Sequence, residues 1–143
     1  MLKQFTTWLV LLVMMIIVVG FSVWLINLFD YLDPFNLCYI NIESDVTRGN
    51  TKTIHQAIEQ IKKADKSDYR NLCHFVNVIS ENLCMADDPN RPSAWRDDVS
   101  GCYLRGSKVI YLNPSRAVDE GTIAHRARII KIYSQKSKNF WQQ

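Results

Sequence analysis

Residues 4 to 29, QFTTWLVLLVMMIIVVGFSVWLINLF, hold no charged side chain, and this stretch limits what the chain can become more than any other. The 22 residues from Trp8 to Phe29 extend roughly 33 Å as a helix at about 1.5 Å per residue, enough for the roughly 30 Å hydrocarbon core of a bilayer. Trp8, Trp24 and Tyr31 fall near the ends, where interfacial aromatic residues collect. Lys3 is the only basic side chain before the run. Asp30, Asp33, Glu43 and Asp45 follow it, ahead of the next basic residue, Arg48. Counting basic flanks keeps residues 1–7 in the cytoplasm, puts residues 8–29 across the cell membrane as a single-pass signal anchor, and sends the rest outside. A cleavable signal peptide is the rival reading, since Val18-Val19-Gly20 and Gly20-Phe21-Ser22 have suitable spacing. Its apolar region would usually be about 7–15 residues, and this one runs past both sites.

The remainder, about 110 residues, is the size of one compact domain. Residues 30–36 read as a linker in which Pro34 stops the helix, and residues 37–143 as a single extracytoplasmic α+β domain. Its four cysteines lie on the oxidising side, which points to disulfides. Cys84 with Cys102 is the favoured pair, closing the polar loop MADDPNRPSAWRDDVSG, with Cys38 and Cys73 as the second. Four buried thiols are the alternative, and a zinc site from them lacks the usual C-x-x-C knuckle.

The element order is simple. NLCYINIE alternates weakly as a short strand, and TKTIHQAIEQIKKAD makes a helix with Ile54, Ala57, Ile58 and Ile61 on one stripe. KSDYRNLCHFVNVISENLC reads as a second helix capped by Ser67 or Asp68, with Tyr69, Leu72, Cys73, Val76, Ile79 and Leu83 inward. On that reading Cys73 and Cys84, eleven residues apart, lie about 16 Å apart along one axis and cannot bond. GCYLRGSKVIYLNP reads as a β-hairpin turning at Arg105-Gly106-Ser107. A last helix over residues 118–137 turns Ile123, Ala127, Ile130 and Tyr133 inward. Two helices, a hairpin and a C-terminal helix make an α+β domain.

The stretch from IHQAIEQI through YRNLCHFVNVI to GCYLRGSKVIYLNP resembles the front half of small bacterial zinc-peptidase-like, or zincin-like, domains, over about half of the chain. In that family the following helix carries H-E-x-x-H, two zinc-binding histidines around a glutamate that activates water. The same frame here reads His125-Arg126-Ala127-Arg128-Ile129. Arginine takes no proton from water at neutral pH and isoleucine ligates nothing, so the resemblance implies a scaffold without its chemistry. The ending RARIIKIYSQKSKNFW is also similar to the tails of membrane-anchored bacterial proteins, which names no activity.

Other sites are weighed the same way. His55, His74 and His125, the three histidines, fall on three expected helices, where zinc is the alternative cofactor and none the expectation. His55 is expected on a polar helix face and His74 off the apolar stripe. Cys73 and His74, about 100° apart around a helix, form no local nucleophile pair. Asp87-Asp88, Asp97-Asp98 and Asp119-Glu120 are acidic pairs, and the loop DDPNRPSAWRDD that holds the first two lacks the alternation and glycine of a calcium loop. Trp95, on the long polar loop, is a candidate contact residue.

Arg126, Arg128, Lys131, Lys136 and Lys138 give the last helix a basic face. Outside the membrane this favours anionic lipid, cell-wall polymer or an acidic protein surface over nucleic acid. The expectation is therefore a membrane-anchored, non-catalytic interaction or structural domain, with a zincin-like hydrolase of degenerate site as the alternative.

Overall fold

The computed structural model describes residues 2–82, 94–98 and 101–143, with only the backbone of 2–6, 27–29 and 94–98. Helix α1 (Leu2–Phe29) contains a 20-residue window, Thr7–Ile26, of mean hydropathy 3.0, long and apolar enough to cross a membrane. None of that window is buried against the rest of the chain.

The stretch expected as a linker is folded. β1 (Tyr31–Asp33) pairs antiparallel with β2 (Cys38–Glu43), Tyr31 opposite Ile40 and Asp33 opposite Cys38. The turn between them is a 3-10 helix over Pro34–Asn36. Asp33 caps it, and Leu37, at φ 51°, closes it through its N–H on the Pro34 carbonyl. Pro34 was expected to stop the helix, but α1 has already ended at Phe29 and Pro34 instead opens the turn of a hairpin in the domain.

α2 (Thr51–Ala64) starts at Asn50, whose side chain accepts from the Lys52 N–H at 3.1 Å. Its expected stripe is the buried one: Ile54, Ala57 and Ile58 are fully enclosed and Ile61 nearly so. α3 (Lys66–Phe75) is capped by Asp65, and neither Ser67 nor Asp68 takes that role. The Asp65 carboxylate accepts from both of their N–H groups. α3 also ends earlier than its periodicity suggests. Val76 leaves the helix in extended geometry and β3 (Val78–Ser80) follows. A short β-branched run spaced at 76 and 79 fits a helix or a buried strand equally well. Pairing with β2 and β6 decides for the strand.

β4 (Ala94–Asp98), β5 (Gly101–Leu104) and β6 (Val109–Leu112) complete a six-stranded sheet in the order β1-β2-β3-β6-β5-β4. β2, β3 and β6 run parallel and the rest antiparallel, so the sheet is larger and more mixed than one hairpin. The β5–β6 turn contains Gly106 at φ 82°, a left-handed conformation that glycine adopts freely. α4 (Glu120–Trp141) then packs across α2 and α3. Ala127, Ile130 and Tyr133 are buried as expected, Ile123 is half-buried, and Ile129 joins them. With Ile40, Ile42, Ile79, Ile110 and Leu112 from the strands they form one core, each enclosed aliphatic side chain contributing about 1.5–3 kcal/mol.

Cys38 is bonded to Cys73, tying the start of β2 to the last turn of α3 across 35 residues. Cys102 is also oxidised. The residue expected to pair with it, Cys84, lies outside the described residues. A loop of 35 residues corresponds to about 4 kcal/mol in the chain-entropy model. Non-reducing peptide mapping should therefore recover a Cys38–Cys73 fragment. A Cys38→Ala/Cys73→Ala double variant should lose about 2–5 kcal/mol in denaturant unfolding. An unchanged midpoint would mean that the bridge constrains little.

Candidate functional site

Because β2, β3 and β6 are parallel, their C-terminal ends lie along one edge, the place where open sheets with parallel strands collect ligands. Glu81 follows β3 there, its N–H donating to the Glu43 carbonyl at 2.6 Å. Its carboxylate is fully enclosed and the Arg126 side chain only 5% exposed. One carboxylate oxygen accepts from Arg126 Nη2. The other accepts from Ser44 Oγ and, at 2.7 Å, from the Asn50 N–H. Arg126 also donates to the carbonyls of Asn50 at 3.4 Å and Ser115 at 3.2 Å. The pair thus ties the ends of β2 and β3, the α2 cap, the loop after β6 and α4 into one knot. Gly49 is demanded by it. A Cβ there would run into Glu81 Oε2 and Ser44 Oγ and sit 2.7 Å from the Asp45 carbonyl.

Beside the knot opens a cleft of about 500 Å³ whose walls include Asn113, Ser115, Asp119, Thr122, His125 and Arg126. Asp119 is committed to capping α4, accepting from the Thr122 N–H at 2.8 Å and Oγ1 at 2.7 Å. Those bonds hold its carboxyl below the usual range. His125 makes no hydrogen bond or ion pair among the described residues. A histidine acting as a general base is commonly oriented by such a partner.

The sequence-derived residues do not converge. Arg126, expected on an exposed basic face, is instead buried, because the α4 stripe of Ile130, Tyr133 and Ser137 continues through it at helical spacing. Arg128 is exposed but already engaged, and Lys131 is paired with Asp68 at 2.6 Å, which raises its pKa. Lys136 lies over the Tyr133 ring at 5.5 Å, and Lys138 belongs to the last turn.

His55 is half-buried, against the polar face expected for it, with its ring 5.8 Å from that of Tyr31 and Nε2 unpartnered. Burial lowers its pKa, opposed by Asp30 and Glu59. His74 is exposed against Phe75. Among the described residues no three His, Cys, Asp or Glu side chains group as a metal site. Trp95, expected on a loop, has its backbone in β4 opposite Tyr103, and its side chain lies outside the described residues. Asp87 and Asp88 lie outside them entirely.

A second polar cluster, missed in the sequence because it uses the supposed linker, sits under β1. Tyr69 donates to Asp33 Oδ2 at 2.8 Å, Tyr31 donates to Glu59 at 2.7 Å, and the two phenols meet at 3.0 Å. Lys62 closes on Asp33 at 2.6 Å and Asn36 on the same carboxylate at 2.7 Å. Burial pushes both phenols up, so they stay neutral. Burial also tends to raise Asp33, but hydrogen bonds from Lys62, Asn36 and Tyr69 outweigh it and hold the carboxyl well below its ordinary range.

Comparison with known proteins returns no match to any family model, curated protein or solved structure.

Two outcomes follow from these clusters. Arg126→Ala leaves Glu81 charged and buried alone and should lose about 3–5 kcal/mol in urea unfolding of the whole chain. Arg126→Lys should recover only part of this, since one ammonium does not replace a fork serving three acceptors. A fully stable Arg126→Ala protein would remove the knot from the core of the fold. Asp33 titrates lower folded than unfolded, so its contribution is complete above about pH 4 and fades as the pH falls below it. The wild-type melting temperature should drop more steeply between about pH 4 and 2 than that of Asp33→Asn. Parallel slopes would show that Asp33 carries none of the acid sensitivity.

Proposed function

We propose that the protein is a single-pass membrane-anchored binding module, its N-terminus cytoplasmic and its disulfide-bonded domain outside the cell membrane. The observation that carries this reading is the junction at Asp30. Its N–H donates to the Ile26 carbonyl at 2.8 Å, and its carboxylate accepts from the Ile42 N–H at 3.2 Å and the Tyr39 hydroxyl at 3.0 Å. One residue therefore ends the uncovered apolar helix and begins the sheet. An apolar helix held out from its domain in this way is suited to lipid. The orientation rests on Lys3 ahead of α1 and on the acids that precede Arg48 after it.

A non-catalytic role is supported by how the ionisable groups are spent. Glu81 and Arg126 neutralise each other, Asp119 caps a helix, and Asp33 is enclosed by donors. The partner's character follows from strand direction. β2 ends beside Asp30, and α4 runs antiparallel to β6, so Arg105, Lys108, Lys136 and Lys138 gather at the end of the sheet opposite α1. Along α4, Lys136 and Lys138 lie 10 and 12 residues beyond Arg126, which is level with the anchor end of the sheet through Glu81, so about 15–18 Å separates the two ends at about 1.5 Å per residue. An acidic protein surface or anionic cell-wall polymer suits this position better than head groups of the anchoring bilayer.

The test is labelling of Val46→Cys, which replaces a fully exposed loop residue, with an impermeant maleimide. Intact cells should label as well as lysed ones. Labelling confined to lysates would overturn the orientation, and release of the protein into the medium would overturn the anchor.

A further inference from the structure

Phe35 and Leu37 project from the β1–β2 turn with 97% and 91% of their surface in solvent. Neither joins the core. Leu37 also holds the left-handed backbone at φ 51°, the one described non-glycine residue to do so. A leucine strains that conformation, and glycine or asparagine would close the turn at less cost. The turn is nevertheless fixed. The Asp33 carboxylate accepts from the Asn36 N–H at 3.3 Å and from its side-chain amide at 2.7 Å, and the residue after Leu37, Cys38, is bonded to Cys73. Stability gains nothing from two hydrocarbon side chains displayed on a rigid turn. A local rule broken without gain to the fold marks a place that serves something outside it.

The turn borders the basic end of the sheet. The Cα atoms of Cys38 and Cys73 are 4.9 Å apart, and chain neighbours add about 3.8 Å each, so Leu37 stands within about 13 Å of His74. His74 is exposed, its carbonyl accepts from the Lys108 ammonium at 3.4 Å, and that ammonium lies 5.7 Å from the centre of the Trp141 ring, itself half exposed. We propose that Phe35 and Leu37 are the anchors by which this end docks on another protein, seated in an apolar pocket with an acidic rim. Such docking rests on the anionic partner proposed above and narrows it to a protein, because a charged, hydrated polymer offers no pocket for two hydrocarbon side chains. The anchoring bilayer fits less well. With β1 along the membrane normal, the path from Asp30 to Pro34 at about 3.3 Å per residue carries the turn about 13 Å from the helix end, past a head-group layer of about 5–8 Å. A second copy of the chain fits less well too, since two such cationic ends repel.

The experiment puts photoreactive benzoylphenylalanine in place of Phe35, or in parallel of Val46, in the full chain in the cells that make it, and identifies the irradiated adducts by peptide mass spectrometry. Val46 is as exposed as Phe35 and lies in the loop after β2, so it serves as the control. Position 35 should give one discrete protein adduct, absent from position 46, whose cross-linked peptide is flanked by acidic residues. Lys108→Glu and Leu37→Asn should each cut that adduct about fivefold or more. The melting temperature of a purified Phe35→Ser/Leu37→Asn variant should stay level or rise. No adduct at position 35, an equal one at position 46, adducts to lipid or to a second copy of the chain, insensitivity to both substitutions, or a double variant that melts well below wild type would each overturn the docking. Failure of the anchor or its orientation shows separately, as lysate-only labelling of Val46→Cys or release into the medium.

Discussion

The buried pair of Glu81 and Arg126 is the constraint around which the domain is arranged. Five segments that are distant in sequence meet at it, and each supplies a donor or acceptor that would otherwise be buried unpaired. Such a pair gives little net stability, because desolvating two charges offsets most of their attraction. Its consequence is specificity. Any packing that displaced α4 or the loop after β6 would strand a charge in the core, so competing arrangements are penalised far more than the native one is favoured.

The frame His125-Arg126-Ala127-Arg128-Ile129 is divided between two environments along α4. An arginine at position 126 points along the buried stripe of α4 and is consumed by Glu81, while His125, one position earlier, turns to the cleft wall. Both border the cleft, but Arg126 is buried and His125 half-buried, because helical neighbours lie about 100° apart.

Much of the fold was legible where periodicity was long. The α2 stripe and the inward Ala127, Ile130 and Tyr133 of α4 followed from spacing alone, because repeated turns leave little ambiguity. Short elements were not. Tyr31-Leu32-Asp33 has three residues and no pattern of its own, and becomes a strand only because β2 offers a partner. Val76 to Ser80 satisfied a helical count by coincidence. Arg126 was misjudged by charge, although it sits four, seven and eleven residues before Ile130, Tyr133 and Ser137, a buried-stripe spacing that reads as well for arginine as for leucine. Nothing local marked Glu81 as its partner.

The absence of slack at Asp30 has a mechanical corollary. The helix end and the edge of the sheet share one hydrogen-bonded residue, so no linker separates α1 from the domain. In a bilayer such a helix tilts by about 20° on average. Were α1 to span a bilayer, that tilt over an arm of about 15–18 Å would swing the basic end by about 6 Å. A change in bilayer thickness would then alter how far from the membrane, and at what angle, the domain meets whatever it touches.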